Sequence, residues 1–242
     1  MIRASEVTFA YPGGPSVLGP VSFEIAPGSL CGLVGANGSG KSTLLALLAG
    51  LFVPSTGTLT VNGRPSPGDV QGVRAAVALV LQDPDQQIVG ATVGEDLLLG
   101  LTPRDPAQAE RALALAARFG LGDPTAPVQT LSLGGRRKLC IATALRDAPE
   151  VLVLDEPFAG LDYPAGREMR ALLASNRAAG RTQVIASHDV EPFADLADAW
   201  LVLEAGRVVL RGATDAVFRE LRAHGVRPPT AWRPGEPVPA WE

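Results

Sequence analysis

Apolar and polar positions follow two rhythms along this chain. Near the start they alternate. Val7-Thr8-Phe9-Ala10-Tyr11 and Val21-Ser22-Phe23-Glu24-Ile25 flank a turn, Pro12-Gly13-Gly14-Pro15. Period two marks a half-buried strand, so residues 1–29 are expected to form short antiparallel strands. Thr58-Leu59-Thr60-Val61 with Asn62-Gly63 adds a strand and a tight turn. Further on the alternation stops. Leu30-Cys31-Gly32-Leu33-Val34, Val77-Ala78-Leu79-Val80-Leu81, Val151-Leu152-Val153-Leu154 and Gln183-Val184-Ile185-Ala186 run apolar with little interruption. Such runs suit strands covered on both faces, as in a parallel sheet.

Helical periodicity governs residues 42–49, 106–119, 134–146 and 164–179, with Pro106 at a plausible first turn. The segment from about 83 to 148 carries helices and no clear strand, which predicts a separate helical lobe. Residues 200–203 and 207–210, joined by Glu204-Ala205-Gly206, read as a hairpin. The expected class is α/β: a mostly parallel sheet, an antiparallel β subdomain and a helical subdomain within residues 1–225. Residues 226–242 are rich in proline and are expected to be extended or loosely attached.

Composition narrows the function. With 242 residues, one domain with subdomains is the natural expectation. A net charge of −4 implies no strongly basic face, so no nucleic-acid partner is expected. Cys31 and Cys140 lie in apolar surroundings and read as small core residues. The first residues lack the apolar core of a signal peptide, and no run of about 18 uncharged apolar residues occurs. The chain is therefore expected in the reducing cytosol.

The chemistry is concentrated in Gly35-Ala36-Asn37-Gly38-Ser39-Gly40-Lys41-Ser42-Thr43. It fits G-x-x-x-x-G-K-[ST], the loop that cradles nucleotide phosphates. Glycines let backbone N–H groups converge on phosphate oxygens without a Cβ in the way. Lys41 brings a positive charge to the outer phosphates, Ser42 offers a hydroxyl to Mg²⁺, and the following helix adds its positive end. A buried strand precedes the loop and a buried helix follows it, as the motif requires.

Other strand ends supply a second half. Asp155 and Glu156 close the run 151–154. Asp155 is placed to hold Mg²⁺ through water, and Glu156 is the obvious general base for an attacking water. Gln82 ends the run 77–81; a neutral amide there can ligate Mg²⁺ and sense the water, although read alone the segment is only a polar loop. His188 follows the run 183–186, where an imidazole can donate to the terminal phosphate. A lone histidine is more often structural, but strand-end placement in a parallel sheet puts this one beside the phosphate loop.

Leu131-Ser132-Leu133-Gly134-Gly135-Arg136-Arg137-Lys138 stands shortly before Asp155. With the phosphate loop, Asp155-Glu156 and His188, in this order, the chain resembles the ATP-binding cassette family over nearly its whole length. Gln82-Asp83-Pro84-Asp85-Gln86-Gln87, continuing to Thr92-Val93-Gly94-Glu95-Asp96, is similar to the glutamine segment of energy-coupling-factor importer ATPases. Phe158-Ala159-Gly160-Leu161-Asp162 is similar to their A-G-L-D loop.

The resemblance implies an ATPase with ATP and Mg²⁺, working as a head-to-tail homo- or heterodimer beneath integral membrane coupling and substrate-binding subunits, at the cytoplasmic face of the membrane. Ser42 and Gln82 would bind Mg²⁺ directly, with Asp155 assisting. Glu156 would be the base and His188 the phosphate sensor. Ser132 and Gly134 would contact the ATP of a partner subunit, Asp162 would lie at the dimer seam, and Tyr11 would stack on adenine. Taken from the residues alone, Tyr11 is equally a sheet residue before a turn. Asp85, Gln86, Gln87 and the residues after them would dock the membrane subunit.

One departure stands out. The family's L-S-G-G-Q reads Leu-Ser-Leu-Gly-Gly here. Leu133 adds a bulky side chain where glycine allows close approach or an unusual φ, so the half-site offered to a partner is expected to be weakened. Arg136, Arg137 and Lys138 either compensate in part for this or, as is more usual for a charge run, form a solvated basic face. The alternatives, an ATPase of another ABC transporter type or a non-transport ABC protein, fit the glutamine segment and the single cassette less well.

Overall fold

In a computed structural model, residues 1–101 and 106–241 are described. The alternating N-terminal segments pair as expected but run longer than the pattern suggested. β1 (Ile2–Ala10) and β2 (Ser16–Ile25) are antiparallel strands of 9 and 10 residues. Strict alternation in β1 is interrupted between Ala4 and Val7, where the register shifts and Glu6 adopts φ 49°. The bulge lets one strand keep Ile2, Ala4, Val7 and Phe9 all buried.

After β3 (Leu30–Val34) and α1 (Lys41–Leu48), β4 (Thr56–Val61) and β5 (Arg64–Ser66) complete a four-stranded antiparallel sheet in the order β2-β1-β4-β5. α2 (Val70–Ala76) leads into β6 (Val77–Val80). The helical lobe follows with α3 (Val93–Leu98), α4 (Pro106–Arg118) and α5 (Leu133–Arg146). The chain then returns through β7 (Val151–Asp155), α6 (Tyr163–Ala178), β8 (Thr182–Ser187), the hairpin β9 (Ala199–Glu204) and β10 (Arg207–Gly212), and α7 (Thr214–Phe218).

The large sheet has the order β10-β9-β3-β8-β7-β6. Only edge strand β10 is antiparallel. The apolar runs owe their lack of alternation to two separate cores. Cys31, Leu33, Val151, Val153, Val184 and Ala186 face α1 and the antiparallel sheet. Leu30, Val34, Leu152, Leu154 and Ile185 face Cys140, Ile141, Met169 and Leu173 of α5 and α6. A third core of Val93, Leu97, Ala116, Leu121, Val128 and Leu139 belongs to the helical lobe. Cys31 and Cys140 are free and buried, as expected, and burial pushes both thiols up to about 12. Among the described residues no helix is long and apolar enough to cross a membrane.

The C-terminal residues are extended but not loose. Val226 and Trp232 are buried in the core with α7, and Phe218 meets the Trp232 ring edge-on. Thr230 donates its N–H to Glu191 at 2.8 Å. At its far end Trp241 rests on Tyr163, with Arg170 over its ring. Composition alone missed this because two tryptophans bury enough apolar area to order a proline-rich strap.

Candidate nucleotide site

The sheet brings distant residues to one edge. Parallel strands end on the same side, so the segments after β3, β6, β7 and β8 converge there. These are the phosphate loop, Gln82, Asp155-Glu156 and Ser187-His188. The pairings fix the level: Val34 lies opposite Ser187 and Val202, Asp155 opposite Ala186, and Val80 opposite Leu154, two residues before Gln82.

Residues 35–40 leave the buried strand and turn into α1. Gly40, immediately before the helix, has φ 103°, and a Cβ there would come within 2.7 Å of Leu18. Only glycine fits both demands. Ala36, Asn37 and Gly38 are exposed, while Ser39 is buried and its hydroxyl has no partner among the described residues. Lys41 is 7% exposed, and its Nζ donates to the carbonyls of Gly35 at 2.8 Å and Ala36 at 3.1 Å. Burial lowers the pKa of this ammonium, and the charges of Glu156 and Asp155 oppose the shift.

Asp155 and Glu156 are 8% and 6% exposed. Burial pushes the Asp155 carboxyl above the usual carboxylate range, and Glu156 adds to this. A hydrogen bond from Ser42 and the charge of Lys41 work the other way. Glu156 has φ 47°, a left-handed conformation costly for a residue with a Cβ. Its N–H donates to Ala186 O at 2.9 Å. Its carboxylate accepts from Ser187 Oγ at 2.9 Å and from the His188 N–H at 3.0 Å, and pairs with His188 Nδ1 at 2.8 Å. The strained backbone thus aims a tightly held carboxylate from the strand end.

The set fits a nucleotide triphosphate and a divalent cation. Lys41 keeps a third ammonium proton beyond its two carbonyl partners, Ser39 Oγ has no partner among the described residues, and the exposed residues 36–38 lie beside them. Ser42, Gln82 and Asp155 are hard oxygen donors of the kind Mg²⁺ takes.

The remaining predicted residues fall in two places. Tyr11, 43% exposed, has its hydroxyl 3.3 Å from Thr43 Oγ1, and its ring meets Phe9 and Phe52 edge-on. It therefore joins an aromatic cluster at the rim of the phosphate loop. Ser132 caps α5, accepting from Gly135 N at 3.1 Å, and Gly134 faces Ala165 and Leu161 at the start of α6. Asp162 caps α6. These three form a second surface, at the helix starts rather than at the strand ends. Leu133 is the first residue of α5, outside the positive-φ residues, and its Cδ2 packs over Gly160. No unusual φ is required of it.

Three features escaped sequence reasoning. The basic triplet is not a solvated face: Arg137 is buried, Arg136 pairs with Asp85 at 3.0 Å, and Lys138 pairs with Glu168. Its spacing from Cys140 and Ile141 was the missed signal, since the three share one helix face. Ser187, a small polar residue at a strand end, anchors Glu156. Gln87 turns inward, bonding Leu81 N at 3.0 Å and Leu79 O at 3.1 Å, so it extends the edge of β6.

A phosphate loop on a mixed sheet, an antiparallel β subdomain and a helical lobe define the ATP-binding cassette class of ATPases. The chain belongs to the ABC transporter family, whose sequence profile matches residues 18–159, and it is an ATP-binding subunit of that family. It is 41% identical to the cobalt import ATP-binding protein CbiO of Rhodobacter capsulatus, over 95% of this chain and 85% of that one. It is 35% identical to the energy-coupling factor transporter ATP-binding protein EcfA of Methanocaldococcus jannaschii, over 91% and 82%. The solved structure of CbiO1 from Clostridium perfringens, described as part of the ABC transporter complex CbiONQ, superposes with a TM-score of 0.80 at 30% identity, covering 92% of each chain.

The raised pKa of Asp155 carries a stability consequence. A carboxyl that holds its proton better when folded costs stability when ionised, a cost complete above its folded pKa and absent below the unfolded value of about 4. Asp155→Asn should therefore raise the thermal midpoint of the nucleotide-free protein at pH 7. The gap from wild type should close as pH falls toward 4. A lower midpoint at pH 7 would show that Lys41 and Ser42 outweigh burial at this carboxyl.

Proposed function

We propose that the chain hydrolyses ATP at a dimer seam and drives uptake of a vitamin or metal ion through membrane partners of the energy-coupling-factor type. The single observation that carries the chemistry is the buried Lys41–Asp155–Glu156 cluster at the strand ends, with Glu156 held by Ser187 and His188. The phosphate loop and Lys41 bind and neutralise the triphosphate. Glu156 takes the proton of the attacking water, and His188 steadies the carboxylate and faces the terminal phosphate. Ser42 and Gln82, assisted by Asp155, would hold Mg²⁺, which supplies charge neutralisation at the phosphate oxygens. Tyr11 offers its ring to the adenine. Ser132, Gly134 and Asp162, on the second surface, serve the nucleotide of the opposed subunit. The names of the similar proteins, a cobalt importer and an energy-coupling factor, support the transport class, as does the Gln82–Gln87 segment. The protein would sit peripherally on the cytoplasmic face.

The membrane contact is refined by the geometry of that segment. Gln87 is committed to β6 and Asp85 to Arg136, whereas Val89 is 73% exposed. The loop that carries Val89 is braced by hydrogen bonds. Asp96 Oδ1 accepts from Val89 N at 2.9 Å and Gly90 N at 3.2 Å, and a Cβ on Gly90 would lie 2.3 Å from Asp96 N. We read Val89, held out on this braced loop next to the Gln82–Gln87 segment, as the docking element for an apolar surface of the membrane partner.

Glu156→Gln should keep ATP binding and lower hydrolysis about a hundredfold or more, the scale of losing a positioned base. Turnover near wild type in that variant would assign the base to another group.

Val89→Glu should remove the membrane subunits from a detergent pull-down of the tagged chain while leaving ATP affinity intact. Undiminished recovery of those subunits would place the docking surface elsewhere.

A further inference from the structure

Arg137 has no place in the site as described so far, yet it touches three parts of it. It lies on α5 with Cys140 and Ile141 on the buried face and is 5% exposed. Its Nη1 donates to Glu156 O at 3.1 Å and to Pro157 O at 2.7 Å. Its Nη2 donates to Gln82 O at 3.1 Å. One guanidinium therefore joins the segment after β6 to the segment after β7, from a helix of the other lobe.

The arrangement costs more than packing would require. A buried guanidinium is unfavourable unless its donors are met, and Nε has no partner among the described residues. An apolar side chain would fill the space without that penalty. What the cation adds is geometry, since the planar fork fixes several acceptors at once. One of those acceptors is the carbonyl of Glu156, whose φ of 47° persists only if its surroundings over-determine it. Arg137 grips the peptide on one side, and Ala186 O holds the N–H on the other.

We propose that Arg137 is a positioning residue: by locking the carbonyls of Gln82, Glu156 and Pro157 it holds the carboxylate of Glu156 and the amide of Gln82 in register. The inference rests on the reading of Glu156 as base. Ser132 caps the same helix five residues earlier. The surface at the start of α5 and the grip on Glu156 are therefore carried by one helix.

The test is a double-mutant cycle in the complete complex with its membrane partners, with MgATP as substrate. Arg137→Met should lower kcat roughly thirtyfold with KM changed less than about threefold, because misplacing a reacting group by about 1 Å costs on the order of a hundredfold. Arg137→Lys, whose ammonium can still reach one or two of the carbonyls, should recover part of the loss. In the Glu156→Gln background, Arg137→Met should cost clearly less than it does in the wild type, since the part of its effect that acts through Glu156 is already lost. If Arg137→Met does not fold, Arg137→Gln replaces it in the cycle. Slow Glu156→Gln with a full, additive Arg137 effect would overturn the positioning role alone, as would a loss confined to KM. Turnover near wild type for Glu156→Gln would overturn the base reading, and this inference with it.

Discussion

The structure turns on charge held out of water. Lys41, Asp155 and Glu156 lie together at the ends of parallel strands, each less than a tenth exposed. Isolated charges are costly in such a place, and their pKa values show the strain: burial drives the Lys41 ammonium down and the Asp155 carboxyl up. The cluster is tolerable because the Lys41 charge opposes the rise at Asp155 and the two carboxylates oppose the fall at Lys41, and because backbone carbonyls and the hydroxyls of Ser42 and Ser187 meet some of its polar needs. It remains incomplete without a ligand that brings negative oxygen to Lys41 and a cation to the carboxylates. MgATP has that distribution of charge.

The fold serves the cluster. Two apolar cores, one on each face of the large sheet, keep β3, β6, β7 and β8 rigid and in register. Their carboxyl ends then present the site as a line of short loops. Polar links fasten the helical lobe to this line. Arg137 is the most direct, and Asp96 braces the loop that carries Val89 outward. The proposed membrane contact, the helical lobe and the carboxylate proposed as base are thus joined through hydrogen bonds of Asp96 and Arg137.

Much of this was legible in the residues. The unalternating runs predicted buried parallel strands, and spacing placed Gln82, Asp155, Glu156 and His188 at strand ends, where the structure has them, with Lys41 at the start of the helix after the phosphate loop. What stayed hidden depended on tertiary partners. Arg137 reads as a surface cation because charge rarely goes inside, and only the carbonyls of another segment make its burial possible. Gln87 reads as an exposed amide because strand-edge mimicry leaves no periodic signal. Leu133 reads as an intrusion into a glycine motif, but a helical φ and the open face of Gly160 accommodate it. The proline-rich tail reads as loose because composition cannot show that Trp232 and Trp241 find rings and a helix face to cover.

If the phosphates of a nucleotide together with a divalent cation complete the buried cluster, ligand binding must stabilise the fold. The most direct measurement is the unfolding free energy of the wild-type chain with MgATP, with ATP in chelator, and with adenosine. At a hundred times its dissociation constant MgATP should stabilise the protein by about 2.7 kcal/mol, ATP in chelator by less, and adenosine hardly at all. Equal stabilisation by adenosine and MgATP, or none by either, would contradict the account.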